Sequence, residues 1–321
     1  MKVLVAGAGG AIGIPLIQRL VAEGHEVVGM TRSPERGRAI RGSGAQSVLC
    51  DVLYARQLTD TVARIAPDAI IHELTALPDR YDPKRLAEQL APTNRLRREG
   101  TAHLIAAASE AGVSRLVAQS VAFAYAPTGG WIKDEEAPLH LDARPPQDEV
   151  VAAVADLERQ VLDVSGVVLR YGYFYGPGTQ FGGRGAYAEM ARRRMLPIVP
   201  DAEGHWSFIH VRDAADATAR ALQHGDSGVY NVVDDEPAPA REWIPGYATA
   251  VGARRPLKLP EFIGVRLLGS VAVSAMKEQR GASNAKARAH LDWSPEHGSW
   301  RTGFRQAIVA ENRERYRWFR R

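Results

Sequence analysis

The first 33 residues read MKVLVAGAGGAIGIPLIQRLVAEGHEVVGMTRS. An apolar run, residues 2–6, leads straight into Gly7-Ala8-Gly9-Gly10-Ala11-Ile12-Gly13. An amphipathic stretch over 12–22 and a second apolar run over 26–30 follow. Glycines 7, 10 and 13 thus fall in GxxGxxG spacing at a strand-to-helix turn. There the chain must bend sharply, bring its backbone against a pyrophosphate and pack the helix closely on the sheet. A Cβ would block each of these, and the helix N-terminus then receives the phosphate charge. The segment predicts a dinucleotide site; the competing reading is a tight glycine turn with no ligand.

The end of the second apolar run bears on which dinucleotide. A carboxylate there would bind the ribose hydroxyls of NAD(H). Here the run ends Gly29-Met30-Thr31-Arg32-Ser33, with no carboxylate before Glu35. Arg32 is placed to face a 2′-phosphate and stack on adenine, with Arg36 and Arg38 nearby. NADP(H) is therefore expected, with NAD(H) as the alternative.

Working outward, strand-like runs recur at 47–50, 69–72, 115–119 and 167–170, rich in consecutive Val, Ile and Leu. That texture suits parallel strands buried on both faces. Between them lie helical patterns at 34–40, 55–65, 83–111 and 149–163, with Pro92 expected to kink or break the long one. The alternation predicts an α/β fold, a Rossmann-type doubly wound parallel sheet. After Arg170 glycine and proline cluster in YGYFYGPGTQFGGRG (171–185), followed by a helical pattern at 186–195. Strand, turn and helix are expected over 206–222, another strand over 228–233, and mostly helix from 237 onward.

Composition narrows the class. Hydrophobic residues are 45% and charged residues 24%, ordinary for a globular chain, and the net charge of +4 demands no nucleic-acid partner. The single cysteine, Cys50, excludes an internal disulfide framework and multi-cysteine metal sites, and no metal site is expected. The apolar segment 262–276 is short and interrupted by Arg266, so it reads as a buried or partner-facing helix rather than a membrane span. The start carries no secretory pattern, and a cytoplasmic protein without a membrane partner is expected. The basic tail, 300–321, reads as a solvated closing helix.

These residues resemble the extended short-chain dehydrogenase/reductase superfamily, in its epimerase/dehydratase branch. The resemblance runs from GAGGAIG through Cys50-Asp51-Val52, IIHELTA (70–76), Asn94 with GTAHLIAAASEAGVSRLV (100–117), VVLRYGYFYGPGT (167–179) and WSFIHVRDAADA (206–217) to SNAKARAHLDWSP (283–295). It implies an NAD(P)-binding Rossmann domain over 1–170, with part of 206–233 returning to it. A smaller C-terminal substrate-binding lobe would take 171–205 and 234–321. The implied cofactor contacts are Gly7, Gly9, Gly10, Ala11, Ile12, Gly13, Thr31, Arg32, Asp51, Val52, Leu74, Thr75, Ala76, Asn94 and Tyr171. Relatives often pair through two long helices, so a homodimer is a family expectation.

The resemblance also implies a Ser/Thr, a Tyr and a Lys four residues after the Tyr, acting together on a proton at the substrate oxygen. This chain departs from that. Aligning the family's Glu with Glu158 puts Val150 and Val154 in the Tyr and Lys positions. The chain has six lysines, and Arg80, Gly129, Arg254, Val273 and Ala282 stand four before those at 84, 133, 258, 277 and 286. No Tyr-x-x-x-Lys exists in any alignment. In QSVAFAY (119–125), Val121 falls about where the Ser/Thr is expected, with Ser120 one residue off.

Candidate replacements are Tyr125 and Tyr173, with Ser120 and Lys133 as further polar groups. Tyr171 and Tyr175 are expected to face opposite to Tyr173. Arg212 is a candidate for an anionic substrate group, with His210 beside it. Two functions compete. One is an NADP(H)-dependent oxidoreductase with a non-standard proton donor, acting on a small carbonyl, imine, activated alkene or nucleotide-sugar-like substrate. The other is a non-catalytic NADP(H)-binding redox sensor or regulator. An epimerase using transient oxidation ranks below both, because it needs a strong base at the lost tyrosine.

Overall fold

The computed structural model describes the backbone of residues 1–318, and side chains as far as Glu311. Its centre is a seven-stranded parallel sheet. Five strands come from the first 121 residues: β1 (Lys2–Ala6), β2 (Glu26–Thr31), β3 (Gln46–Leu49), β4 (Ala69–His72) and β5 (Arg115–Val121). Val167–Tyr171 and Gly228–Val232 extend the β5 edge, and the order across the sheet is Gly228–Val232, Val167–Tyr171, β5, β4, β1, β2, β3. Strand order reverses between β1 and β4, where Ala6 pairs with His72. That switch point opens a crevice at the carboxyl ends of the strands, where ligands bind in such sheets.

Helices α1 (Gly13–Ala22), α2 (Pro34–Gly42), α3 (Ala55–Ile65), α4 (Leu86–Arg95), α5 (Thr101–Glu110) and α6 (Gln147–Asp163) cover the two faces. The consecutive apolar runs are explained by this cover: β4 and Val167–Tyr171 are buried at every position. Helix α2 starts because the Ser33 side chain accepts the Arg36 N–H at 3.2 Å, with Pro34 in the first turn.

Three expectations need correction. Pro92 does not break the long helix. It sits within α4 on an exposed stretch, where water can solvate the carbonyl it leaves unbonded, and the irregularity falls one turn later as a π-helical turn, Leu96–Gly100. Segment 262–276, expected as one buried or partner-facing helix, is two helices. Gly269, at φ 85°, divides it into Glu261–Leu268 and Ser270–Glu278, and Phe262 is 74% exposed. The closing helix, Trp300–Trp318, is not simply solvated: Trp300, Phe304, Ala307 and Ile308 are buried in a second apolar cluster with Trp243, Phe208 and Phe181. Residues 319–321 of that tail lie outside the described residues. Among the described residues, no helix is long and apolar enough to cross a membrane.

Candidate functional site

The glycine turn leaves no room for substitution. Gly7 has φ 88°, and a Cβ on it would lie 2.4 Å from the Glu73 carbonyl oxygen; one on Gly13 would lie 2.2 Å from the Ala8 carbonyl oxygen. At Gly10 only the Gly7 carbonyl comes near, at 3.2 Å, so the turn stays open on its cleft side. No side chain caps the first turn of α1, and its amide groups are left for a ligand. The turn opens into a cleft of about 1640 Å³. That exceeds the roughly 300–1,000 Å³ of a pocket for one drug-sized ligand, leaving space for a dinucleotide and a small substrate together. The cradle and the uncapped helix fit a dinucleotide.

Fourteen of the expected cofactor contacts line this cleft: Gly7, Gly9, Gly10, Ala11, Ile12, Gly13, Thr31, Arg32, Asp51, Val52, Leu74, Thr75, Ala76 and Tyr171. At its adenosine end, Arg32 Nη1 lies 3.4 Å from Asp51 Oδ2, and the Arg36 stem packs against Gly9. Asn94 stands apart. It is buried in α4, and its Oδ1 accepts a bond from Arg97 Nη1 at 3.3 Å.

Helix α6 crosses the other end. Val150 borders the cleft and Val154 is buried against Ala124 and Val151, so neither position offers a titratable group. One turn on, Glu158 is tied to Arg170 by two bonds of 2.6 and 2.8 Å, and Ser120 donates to it at 2.5 Å. Tyr125 belongs to the same buried knot. Its hydroxyl donates to Asn231 at 2.7 Å and accepts from Arg170 at 3.0 Å, and burial pushes its pKa up to about 12. Tyr125 does not line the cleft: pairing with Leu139 and the pull of Arg170 turn it away from the strand ends.

Tyr173 does line the cleft, but as a wall. Its ring stacks on Phe123 and Trp206 at 4.5 and 4.3 Å, and its hydroxyl donates to Gln279 at 2.8 Å. Burial holds its pKa well above the ordinary tyrosine value. Phe181 and Tyr187 extend the aromatic surface, with Gln147 and Tyr81 among its polar edges. Residues 3–233 match the family described as NAD dependent epimerase/dehydratase. The chain belongs to that family.

As a family member it is an NAD(P)-binding Rossmann protein of the reductase and epimerase type. It is 45% identical over 307 residues to a 3-diazoavenalumate denitrifying reductase of Streptomyces sp, covering 94% of this chain and 99% of the relative. Its fold is similar to that of UDP-glucose 4-epimerase from Thermotoga maritima, with a TM-score of 0.77 at 18% identity over 98% of this chain and 99% of the other. It is also similar to human epimerase family protein SDR39U1, solved with NADPH, with a TM-score of 0.71 at 22% identity over 96% and 99%.

In this family member, three more of the sequence candidates lie outside the cleft, besides Asn94 and Tyr125. Lys133 is buried with its Nζ bonded to the Thr128 carbonyl, on a short strand paired with Gly281–Ala282. His210 caps helix Val211–His224 by accepting the Arg212 N–H, which fixes its ring toward the helix. Its ring stacks on His297 at 3.9 Å, and Asp213 bonds His297 with both oxygens. Arg212 is exposed. Nor does strand alternation separate the tyrosines as expected: Gly172 ends one strand before Tyr173–Tyr175 begins, and Tyr171 and Tyr173 both border the cleft.

Two buried charged residues of the cleft were not singled out in the sequence. Arg97 is buried on the π-helical turn. Glu73, at the end of β4, accepts from Tyr171 at 3.1 Å with Oε1 and leaves Oε2 buried without a partner. A carboxyl directly after a fully buried strand was the available signal for Glu73; one arginine among 35 offered none. Burial pushes the Glu73 pKa up to about 8 from 4.5, so the folded chain holds a proton that the unfolded chain releases. Stability from this proton is complete at low pH and lost as pH rises toward 8. Glu73→Gln is therefore expected to gain melting temperature over the native chain progressively between about pH 5 and about pH 8. Thermal melts across that range check this; an offset independent of pH would contradict it.

Proposed function

We propose that the chain is an NADP(H)-dependent reductase that delivers a hydride to an aryl diazonium carboxylate. The observation that carries the reading is α6, which presents Val150 and Val154 where the family resemblance implies a tyrosine and a lysine. Reducing a carbonyl builds an alkoxide that must be protonated. Here the Ser120, Tyr125 and Tyr173 hydroxyls already donate to protein acceptors. A diazonium has no such requirement. The overall change replaces the aryl C–N bond with C–H and releases N2. One hydride cancels the positive charge, and no proton is drawn from the protein. Bound NADPH supplies that hydride. The remaining work is orientation. The aromatic wall that Phe123, Tyr173, Phe181 and Tyr187 give the cleft suits an aromatic ring. The 45% identical relative, named for denitrifying a diazo substrate, supports the same chemistry.

The test follows NADPH oxidation at 340 nm with 4-carboxybenzenediazonium and with a panel of ketones and nucleotide sugars. Turnover is expected on the diazonium, with most of kcat retained in Tyr173→Phe. Turnover on a ketone that Tyr173→Phe abolishes would replace this reading with an ordinary carbonyl reductase. Tight NADPH binding without turnover on any compound would point to a sensor.

NADP(H) preference is part of the proposal and rests on Arg32 at the end of β2. Losing a charge-assisted bond to a phosphate costs about 1.5–3 kcal/mol, roughly 10-fold or more in affinity. Arg32→Ala is expected to lower the NADPH/NADH affinity ratio by that factor, read by calorimetry. An unchanged ratio contradicts the assignment.

A further inference from the structure

We infer that Arg97 is an anion-binding residue of the substrate side, holding the substrate's carboxylate and so fixing which end meets the cofactor. The inference rests on the cleft being the reductase's active site. Arg97 is 9% exposed and borders the cleft together with Tyr81, Gln147 and Val150. It stands on the π-helical turn Leu96–Gly100, a local irregularity that often accompanies functional positions.

The guanidinium lacks what buried cations ordinarily have. Among the described residues its hydrogen bond is to the neutral Asn94 amide at 3.3 Å, and no carboxylate lies within 4 Å of it. Glu158, a carboxylate whose field reaches it, is already committed to Arg170 and Ser120. Arg170 shows the contrast: it is as deeply buried and carries a two-bond carboxylate partner. Burial lowers the Arg97 pKa to about 10, which still leaves it charged at neutral pH. A desolvated cation facing a ligand cleft without a counter-ion is a site for an anion from outside. A planar guanidinium binds a carboxylate through two parallel bonds.

The consequence for a diazonium carboxylate is orientation. One end of that substrate is attracted to Arg97 and the other repelled by it, so the cationic nitrogen is directed away from α4 and α5. A cofactor phosphate is the other source of a suitable anion. The test separates the two without turnover. Calorimetry on the NADP+-loaded full chain compares cinnamate with cinnamamide, which differ in charge but hardly in shape. Native protein is expected to bind cinnamate about 10- to 100-fold more tightly. Arg97→Met should remove the preference, Arg97→Lys should keep part of it, and NADP+ affinity should be unchanged in both. No preference in native protein, or one that survives Arg97→Met, overturns the inference. So does a fall in NADP+ affinity with the preference intact, which would assign Arg97 to the cofactor. Because the ligands carry no diazo group, the result stands apart from failure of the diazonium reading.

Discussion

Gly13→Val is expected to abolish NADPH binding and to lower the melting temperature by about 2–12 °C. The new Cβ would sit 2.2 Å from the Ala8 carbonyl oxygen and 2.5 Å from its carbon, and both are backbone atoms of the same tight turn. No rotamer relieves this, so either the turn opens or α1 lifts from the sheet. Leu16, Ile17 and Leu20 of α1 are fully buried against β1 and its neighbours, so lifting the helix exposes core. Forced overpacking costs about 1–3 kcal/mol, occasionally more, and each kcal/mol shifts the melting temperature of a domain near this size by about 2–4 °C. Cofactor binding fails for the same reason, because turn backbone and helix N-terminus no longer converge on one pyrophosphate. Gly42→Ala is the control: nothing lies within 4 Å of a Cβ there, and its melting temperature and NADPH affinity should be unchanged or slightly improved. Calorimetry and thermal melts on the pair decide it. Native-like NADPH affinity in Gly13→Val would mean that the dinucleotide binds elsewhere.

Glu158→Ala is expected to cost about 3–5 kcal/mol, the usual penalty for stranding one member of a buried ion pair. Glu158 and Arg170 are 4% and 5% exposed, and Ser120 and Tyr125 are bonded into the same group. Removing the carboxylate leaves a guanidinium desolvated, with the Tyr125 hydroxyl and the Glu135 carbonyl as its neutral partners. Replacing Arg170 and Glu158 together by apolar residues should cost much less than Glu158→Ala alone, because no unpaired charge remains. Chemical denaturation of the single and double variants reads this directly. A loss under about 1 kcal/mol in Glu158→Ala would show that water reaches Arg170 and that the knot is not a buried one.

The sheet was legible because its signal is redundant. Consecutive apolar residues in β4 and the pattern of α3 gave both elements to the residue, and the glycine spacing placed the switch-point turn. Facing was harder. Tyr125 and Tyr173 look equivalent in sequence, yet one is drawn away from the cleft by Arg170 and Asn231 and the other stacks between Phe123 and Trp206. What separates them is the partner each finds from 45 to about 106 residues away, which no local pattern encodes. Arg97 was hidden for a related reason: its burial follows from the π-helical turn, and nothing in LRREG announces that turn. The valines of α6 were legible as a loss, since six lysines could be checked one by one. On the proposed reading a diazonium substrate makes the lost acid unnecessary, and the proton that burial keeps on Glu73 is not called on.

That claim is tested most directly by stoichiometry in a single turnover. Protein loaded with one equivalent of NADPH is mixed with 4-carboxybenzenediazonium, and NADPH oxidised, N2 released and benzoate formed are measured together, with Gly13→Val protein as the blank. The account predicts equal amounts of all three, formed faster than in the blank and at a rate that Tyr173→Phe leaves largely intact. Reaction no faster than the blank, or NADPH oxidation without N2 release, would contradict it.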